Sequence, residues 1–168
     1  RWDDKILNAG GGHSIMTCAL AARCSTVFLA DINEESLDHV RKQSPFRRFD
    51  VIHVKKWDIT DLQGASDEFF DVVYCTSVLE HVPEYMKALY EMNRVLKKGG
   101  HLVLTCDVPI KVPPDYKGKL EECMSWDLTR FGHEILQYLG VFPIAYNAVV
   151  GFLENQHMLV LMAAMKKE

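Results

Sequence analysis

Apolar and polar positions change rhythm along the chain in a regular way. Short apolar runs at Lys5–Ala9, Thr26–Ala30, Val51–Lys55, Phe70–Tyr74, His101–Cys106, Val141–Tyr146 and His157–Met165 read as strands. The run TVFLA at 26–30 has no polar alternation, as expected of a parallel strand covered on both faces. Between the runs, Ser14–Arg23, Glu34–Gln43, Pro83–Leu96 and Asp127–Leu139 read as helices. In the first of these Ile15, Cys18, Ala19 and Ala22 share one face. Pro83 suits a first helical turn, Pro45 and Gly140 suit helix ends, and Gly99-Gly100 follows the third helix. Val108–Lys119 reads as a loop, and Gly151 falls in the connection between the last two strands. Such strand–helix alternation predicts an open α/β fold, mainly parallel, with helices on both faces.

Composition narrows the picture only modestly. With 168 residues, 48% hydrophobic and 25% charged, the chain suits one globular domain with a single core. A net charge of -4 gives no general attraction for nucleic acid or an anionic membrane. Cysteines at 18, 24, 75, 106 and 123 form no C-x-x-C pair, so they read as small core residues in a reducing cytoplasmic setting. No apolar run reaches the roughly 18 residues that span a bilayer.

In open α/β sheets ligands bind beyond the carboxyl ends of the strands, and residues with chemical capacity recur there. After the first strand comes Asn8-Ala9-Gly10-Gly11-Gly12-His13-Ser14. Its glycines permit a tight turn and close approach to a ligand, and the helix beyond offers free N–H groups. A dinucleotide loop of the form G-x-G-x-x-G would need a small residue at position 15, where Ile15 stands. Asp31 ends the second strand and could accept from both ribose hydroxyls; the same position also suits a cap for a helix starting near Asn33. Asp58-Ile59 follows the third strand, as an adenine contact or as a solvated loop acid.

The most specific stretch is Phe70-Asp71-Val72-Val73-Tyr74-Cys75-Thr76-Ser77-Val78-Leu79-Glu80-His81-Val82-Pro83. It resembles the segment around the fourth strand of class I S-adenosylmethionine-dependent methyltransferases of the type 11 group. Glu91–Leu102 is similar to that family's E-x-x-R-V-L-K-P-G-G segment, with Lys98 in place of proline. The loop at Gly10 resembles its G-x-G-x-G, with Ser14 in place of the last glycine. These likenesses run from Lys5 to about Cys106 in the family's order.

The resemblance implies a three-layer Rossmann-like sandwich whose mostly parallel, seven-stranded sheet has its last strand antiparallel. It implies one methyltransferase domain over 1–168, without the family's N-terminal cap segment. S-adenosyl-L-methionine would be the cofactor. Asn8, Ala9, Gly10 and Gly12 would line its methionine and ribose part. Asp31 and Ile32 would hold ribose and adenine, Asp58 and Ile59 would flank the adenine, and the Cys75 backbone would accept from the ammonium beside Thr76. Asn8 stands where the family usually has an acid.

His81 is the candidate general base, since imidazole titrates near neutrality; the alternative role for it is to pin the loop to the following helix. Thr76 and Ser77 occupy places where a metal site would want a further acid, so no metal is expected. The implied activity is methyl transfer to a small-molecule O or N acceptor, with no nucleic-acid or membrane partner. The alternative is a catalytically silent, methyltransferase-like subunit that binds a partner.

Overall fold

In the computed structural model the described residues are 3–12, 15–23, 26–42, 50–109, 134–135, 137, 150–153 and 156–167. Seven strands form one sheet: β1 Lys5–Ala9, β2 Thr26–Asp31, β3 Ile52–Lys56, β4 Phe70–Thr76, β5 Leu96–Pro109, β6 Val150–Leu153 and β7 Gln156–Lys166. The helices are α1 Met16–Ala21, α2 Glu34–Lys42 and α3 Tyr85–Val95, with a 3-10 turn at Leu79–His81.

The strand order is β3-β2-β1-β4-β5-β7-β6. The pairs from β3 through β5 are parallel, and β7 runs antiparallel to both β5 and β6. From β1 the chain moves outward to β2 and β3, then returns to place β4 on the other side of β1. That reversal leaves a crevice between the carboxyl ends of β1 and β4, where open α/β sheets bind ligands.

Alternation along the strands separates the two faces. Ile6 and Val27 pack with Ala21 and Leu20 of α1, while Leu29 packs with Val40 of α2. Leu7, Val73, Cys75 and Leu104 face the opposite way, onto Ala88, Leu89, Met92 and Val95 of α3. Those four α3 positions recur at helical spacing and are fully buried, so the helix is held by its apolar stripe. Helix α2 has Glu34 and Glu35 in its first turn and His39, Arg41 and Lys42 in its last, which complements the helix dipole.

Several element boundaries differ from the sequence expectation. The helix expected from Ser14 begins at Met16, after an N-cap Ile15 that makes no side-chain capping bond. The helix expected from Pro83 starts at Tyr85, because the chain first makes the 3-10 turn. Strand β5 begins at Leu96 rather than His101, so Gly99-Gly100 lies within a strand and not after a helix. The β4–β5 register jumps there, from Phe70 opposite Leu96 to Val72 opposite His101. Gly99 takes a left-handed φ of 75° and Gly100 lies against the carbonyl of Asp71, which lets the bulge form. Gly151 belongs to β6, not to a connection. The strand expected at 141–146 lies outside the described residues, as does most of the helix expected at 127–139; of that helix Glu134, Ile135 and Gln137 are helical.

Candidate active site

The β1 turn is built by close packing. The N–H groups of Gly10 and Gly11 both donate to the carbonyl of Ala30, at 2.8 and 3.1 Å, which ties the turn to the end of β2. Gly10 has φ +71°, and a Cβ there would lie 2.6 and 2.7 Å from the two methyl carbons of Val78. The turn after β1 is thus pressed against the turn after β4. A Cβ on Gly11 would meet Leu29 at 2.1 Å and Asn8 at 2.7 Å. Asn8 itself is 2% exposed and donates its amide N–H to Thr17 Oγ1 at 2.8 Å, binding β1 to α1.

Asp31 is held at both oxygens. Oδ2 accepts from the N–H of Gly12 and Oδ1 from the N–H of Asn33, each at 2.9 Å. Asn33 is the cap of α2, since its Oδ1 accepts from the N–H of Ser36 at 3.2 Å. Asp31 therefore bridges the glycine turn to the start of α2, and a second lone pair on each oxygen stays available to hydroxyl donors. Asp58 closes its own turn: Oδ1 accepts from the N–H and the hydroxyl of Thr60, both at 2.8 Å. That turn buries Ile59 and Thr60 and leaves Asp58 exposed beside Trp57, which stacks on Phe28 at 6.0 Å between ring centres.

Strand β4 ends in backbone strain. Ser77 adopts φ +49°, donates its N–H to the carbonyl of Thr105 at 2.8 Å, and exposes its side chain. Such a conformation in a residue other than glycine costs on the order of 1–2 kcal/mol and is held by its surroundings. The chain then makes the 3-10 turn, with the N–H of His81 on the carbonyl of Val78 at 2.9 Å and the imidazole exposed. Glu80 points inward: Oε1 accepts from the N–H of Asp107 at 3.2 Å, while its Oε2, like Thr76 Oγ1, is buried without a hydrogen-bond partner. The Cys75 side chain is fully buried, and burial pushes its thiol up to about 12.

These strand ends enclose a cavity of about 430 Å³. Six of the sequence candidates line it: Gly10, Asp31, Ile32, Asp58, Ile59 and His81. Asn8, Ala9 and Cys75 have side chains turned into the core, and neither Gly12 nor Thr76 is among the lining residues. The lining also includes Trp57, Thr60, Ser77, Val78, Val82, Pro83 and Glu84, none of which the sequence reading named as a cofactor or catalytic residue. Position alone could have found Ser77 and Trp57, since each adjoins a strand end. Among the described lining residues the charged side chains Asp31, Asp58 and Glu84 are all acidic, which favours a ligand bearing positive charge. No three His, Cys, Asp or Glu side chains gather in a metal-holding group among the described residues.

The sequence profile of the family described as "Methyltransferase domain" matches residues 7–104, which includes both the glycine turn and the 3-10 turn. This chain belongs to that family. Among curated proteins, a ubiquinone biosynthesis O-methyltransferase of Haemophilus ducreyi is 31% identical over 105 residues, 60% of this chain and 44% of the relative. A demethylmenaquinone methyltransferase of Clavibacter sepedonicus is 35% identical over 102 residues, 60% of this chain and 40% of the relative. The matched stretch thus spans less than half the length of these relatives. Among solved structures, an S-adenosylmethionine-dependent methyltransferase of Aquifex aeolicus superposes with a TM-score of 0.64 at 17% identity, over 98% of this chain and 84% of that one. The [4+2]-cyclase SpnF superposes with a TM-score of 0.61 at 21% identity, over 67% of this chain and 42% of that one. These two likenesses establish the α/β Rossmann-like methyltransferase fold and nothing of substrate. No helix among the described residues is long and apolar enough to cross a membrane.

Proposed function

We propose that this domain binds S-adenosylmethionine in the strand-end cavity and transfers its methyl group to a small-molecule oxygen or nitrogen acceptor. The observation that carries the reading is Asp31. It stands at the end of β2, is fixed by the Gly12 N–H, and lines the same cavity as Gly10, Asp58 and Ile59.

The residues present fit the cofactor. Gly10 admits no Cβ at the floor of the turn, and the acidic lining suits a sulfonium cation. Asp31 would accept the ribose hydroxyls, Asp58 the adenine amino group, and Ile32 and Ile59 would pack on the purine. S-adenosylmethionine supplies a methyl group on a good leaving sulfur, so alignment of the acceptor is the main demand on the protein, an effect that reaches about 7–11 kcal/mol. His81, exposed at the cavity, would take the proton of a hydroxyl acceptor, with Val82 and Pro83 as apolar walls. The names of the two curated relatives, one for ubiquinone biosynthesis and one for demethylmenaquinone, favour a small-molecule acceptor.

A second reading, a methyltransferase-like fold without transfer, draws on Asn8, whose amide is buried on Thr17 and adds no carboxylate to the cavity. The test is transfer of label from methyl-tritiated S-adenosylmethionine to a panel of a catechol, a phenol and a secondary amine. Labelled product from any of them, lost in His81→Gln for the catechol or phenol, supports the first reading. Cofactor binding with no transfer to any acceptor favours the second.

A further inference from the structure

The pair Glu91 and Arg94 stands on α3, outside the cavity, yet it holds the loop that forms the cavity wall beyond β3. Every N–H donor of Arg94 is used. Nε and one Nη2 hydrogen go to the two carboxylate oxygens of Glu91, each at 2.8 Å. The remaining Nη2 donor reaches the carbonyl of Leu62 at 3.0 Å. The two on Nη1 reach the carbonyl of Ala65 at 3.1 Å and Asp67 Oδ1 at 2.6 Å. Glu91 Oε2 in turn accepts from the N–H of Leu62 at 2.8 Å. Leu62 is fully buried and Ala65 nearly so, so this latch is anchored from beneath by the core.

What the latch holds leads directly to the cavity. Gly64 lies between the two clamped carbonyls, and its backbone is pressed on the indole of Trp57: a Cβ there would lie 2.4 Å from Nε1. Trp57, Asp58, Ile59 and Thr60 line the cavity. The N–H of Asp61 bonds the carbonyl of Asp58 at 3.0 Å, and that of Ala65 the carbonyl of Leu62 at 2.9 Å, so the loop is a chain of turns with little slack.

We propose that Arg94, with Glu91, is a positioning residue for the adenine-side wall of the cofactor cavity, acting through Leu62, Gly64 and Trp57. The proposal rests on the S-adenosylmethionine reading of that cavity. A planar guanidinium is needed because its five donors point in fixed, divergent directions; a lysine ammonium offers three donors from one point and cannot span Glu91, Leu62 and Ala65 together.

The test uses the full chain with Trp2→Phe and Trp126→Phe, so that Trp57 is the single tryptophan, excited selectively over the tyrosines. S-adenosylmethionine and adenosine are titrated well below the thermal midpoint of each variant. Arg94→Lys is expected to weaken both ligands by the same factor, about tenfold, or ~1.4 kcal/mol. It should also shift the ligand-free Trp57 emission to the red, with the parental emission restored at saturating S-adenosylmethionine. Glu91→Gln, whose amide N–H must face a donor of either Arg94 or Leu62, should reproduce the effect if the lysine variant does not fold. Asp67→Ala removes only the exposed contact and should change affinity by less than about twofold. A parent that fails to bind S-adenosylmethionine overturns the cavity reading and this proposal with it. A parent that binds, with Arg94→Lys and Glu91→Gln binding equally well and emission unmoved, overturns this proposal alone.

Discussion

Gly10→Ala tests whether the turns after β1 and β4 are locked together. The substitution has two separable costs. The backbone at Gly10 holds φ +71°, where a Cβ costs roughly 1 kcal/mol. The added methyl would also lie 2.6 and 2.7 Å from the methyl carbons of Val78, and overpacking of that kind costs about 1–3 kcal/mol. The β-branched Val78 has little rotamer freedom with which to yield. Gly10→Ala should therefore destabilise by roughly 2–4 kcal/mol, which for a domain of this size lowers the thermal midpoint by about 4–16 °C. Val78→Ala removes the two clashing carbons but leaves the backbone strain. The double variant should recover about 1–3 kcal/mol relative to the sum of the singles in urea unfolding followed by circular dichroism. A coupling energy near zero would refute the packing argument, and a Gly10→Ala variant as stable as the parent would refute both costs.

Other expectations follow from the same geometry. His81→Gln should leave stability within about 0.5 kcal/mol of the parent, because the imidazole is exposed; a larger loss in urea unfolding would assign it the pinning role. Acid should weaken the fold through Glu91 and Asp71. The Arg94 hydrogen bonds hold Glu91 below its ordinary carboxyl value, against the opposing effect of burial. At Asp71 burial raises the value, and the Lys5 N–H and the Lys97 ammonium together outweigh it, for a net lowering. Both contributions are complete above the ordinary values of 4.5 and 3.8 and are lost as pH falls through the lower folded values. Unfolding free energy should thus decline between about pH 5 and 3, and less steeply in Arg94→Lys; a flat acid limb would contradict the assignment. Cys75 and Cys106 are fully buried with thiols pushed by burial up to about 12, so both should resist iodoacetamide at pH 8 in the native state and react in urea. Rapid native labelling of either would overturn that placement.

Much of this was legible from the chain because parallel strands carry a strong local signal. TVFLA at β2 is apolar on both sides, and Asp31 at its end sits where the topology needs a polar group. Gly10, Asp58-Ile59 and His81 were likewise legible by position at strand ends, and all of them line one cavity, whereas Gly12 of the same turn does not. The inward turn of Asn8 could not be read, because it depends on Thr17 arriving from α1. Nor could the length of β5: Gly99-Gly100 looks like a helix stop locally, and only pairing with Lys167 and Asp71 makes it a bulge. Arg94 was visible as part of a resemblance, but its reach to Leu62 and Ala65 is a contact across about thirty residues that no local pattern encodes.

On the proposed function, the strand-end cavity is an S-adenosylmethionine site organised by Asp31. Isothermal titration of the full chain with S-adenosylmethionine measures it most directly, alongside Asp31→Ala. Saturable one-to-one binding is expected, competed away by S-adenosylhomocysteine and weakened at least about tenfold in Asp31→Ala, or ~1.4 kcal/mol. No binding by the folded chain, or equal affinity in the two proteins, would contradict it.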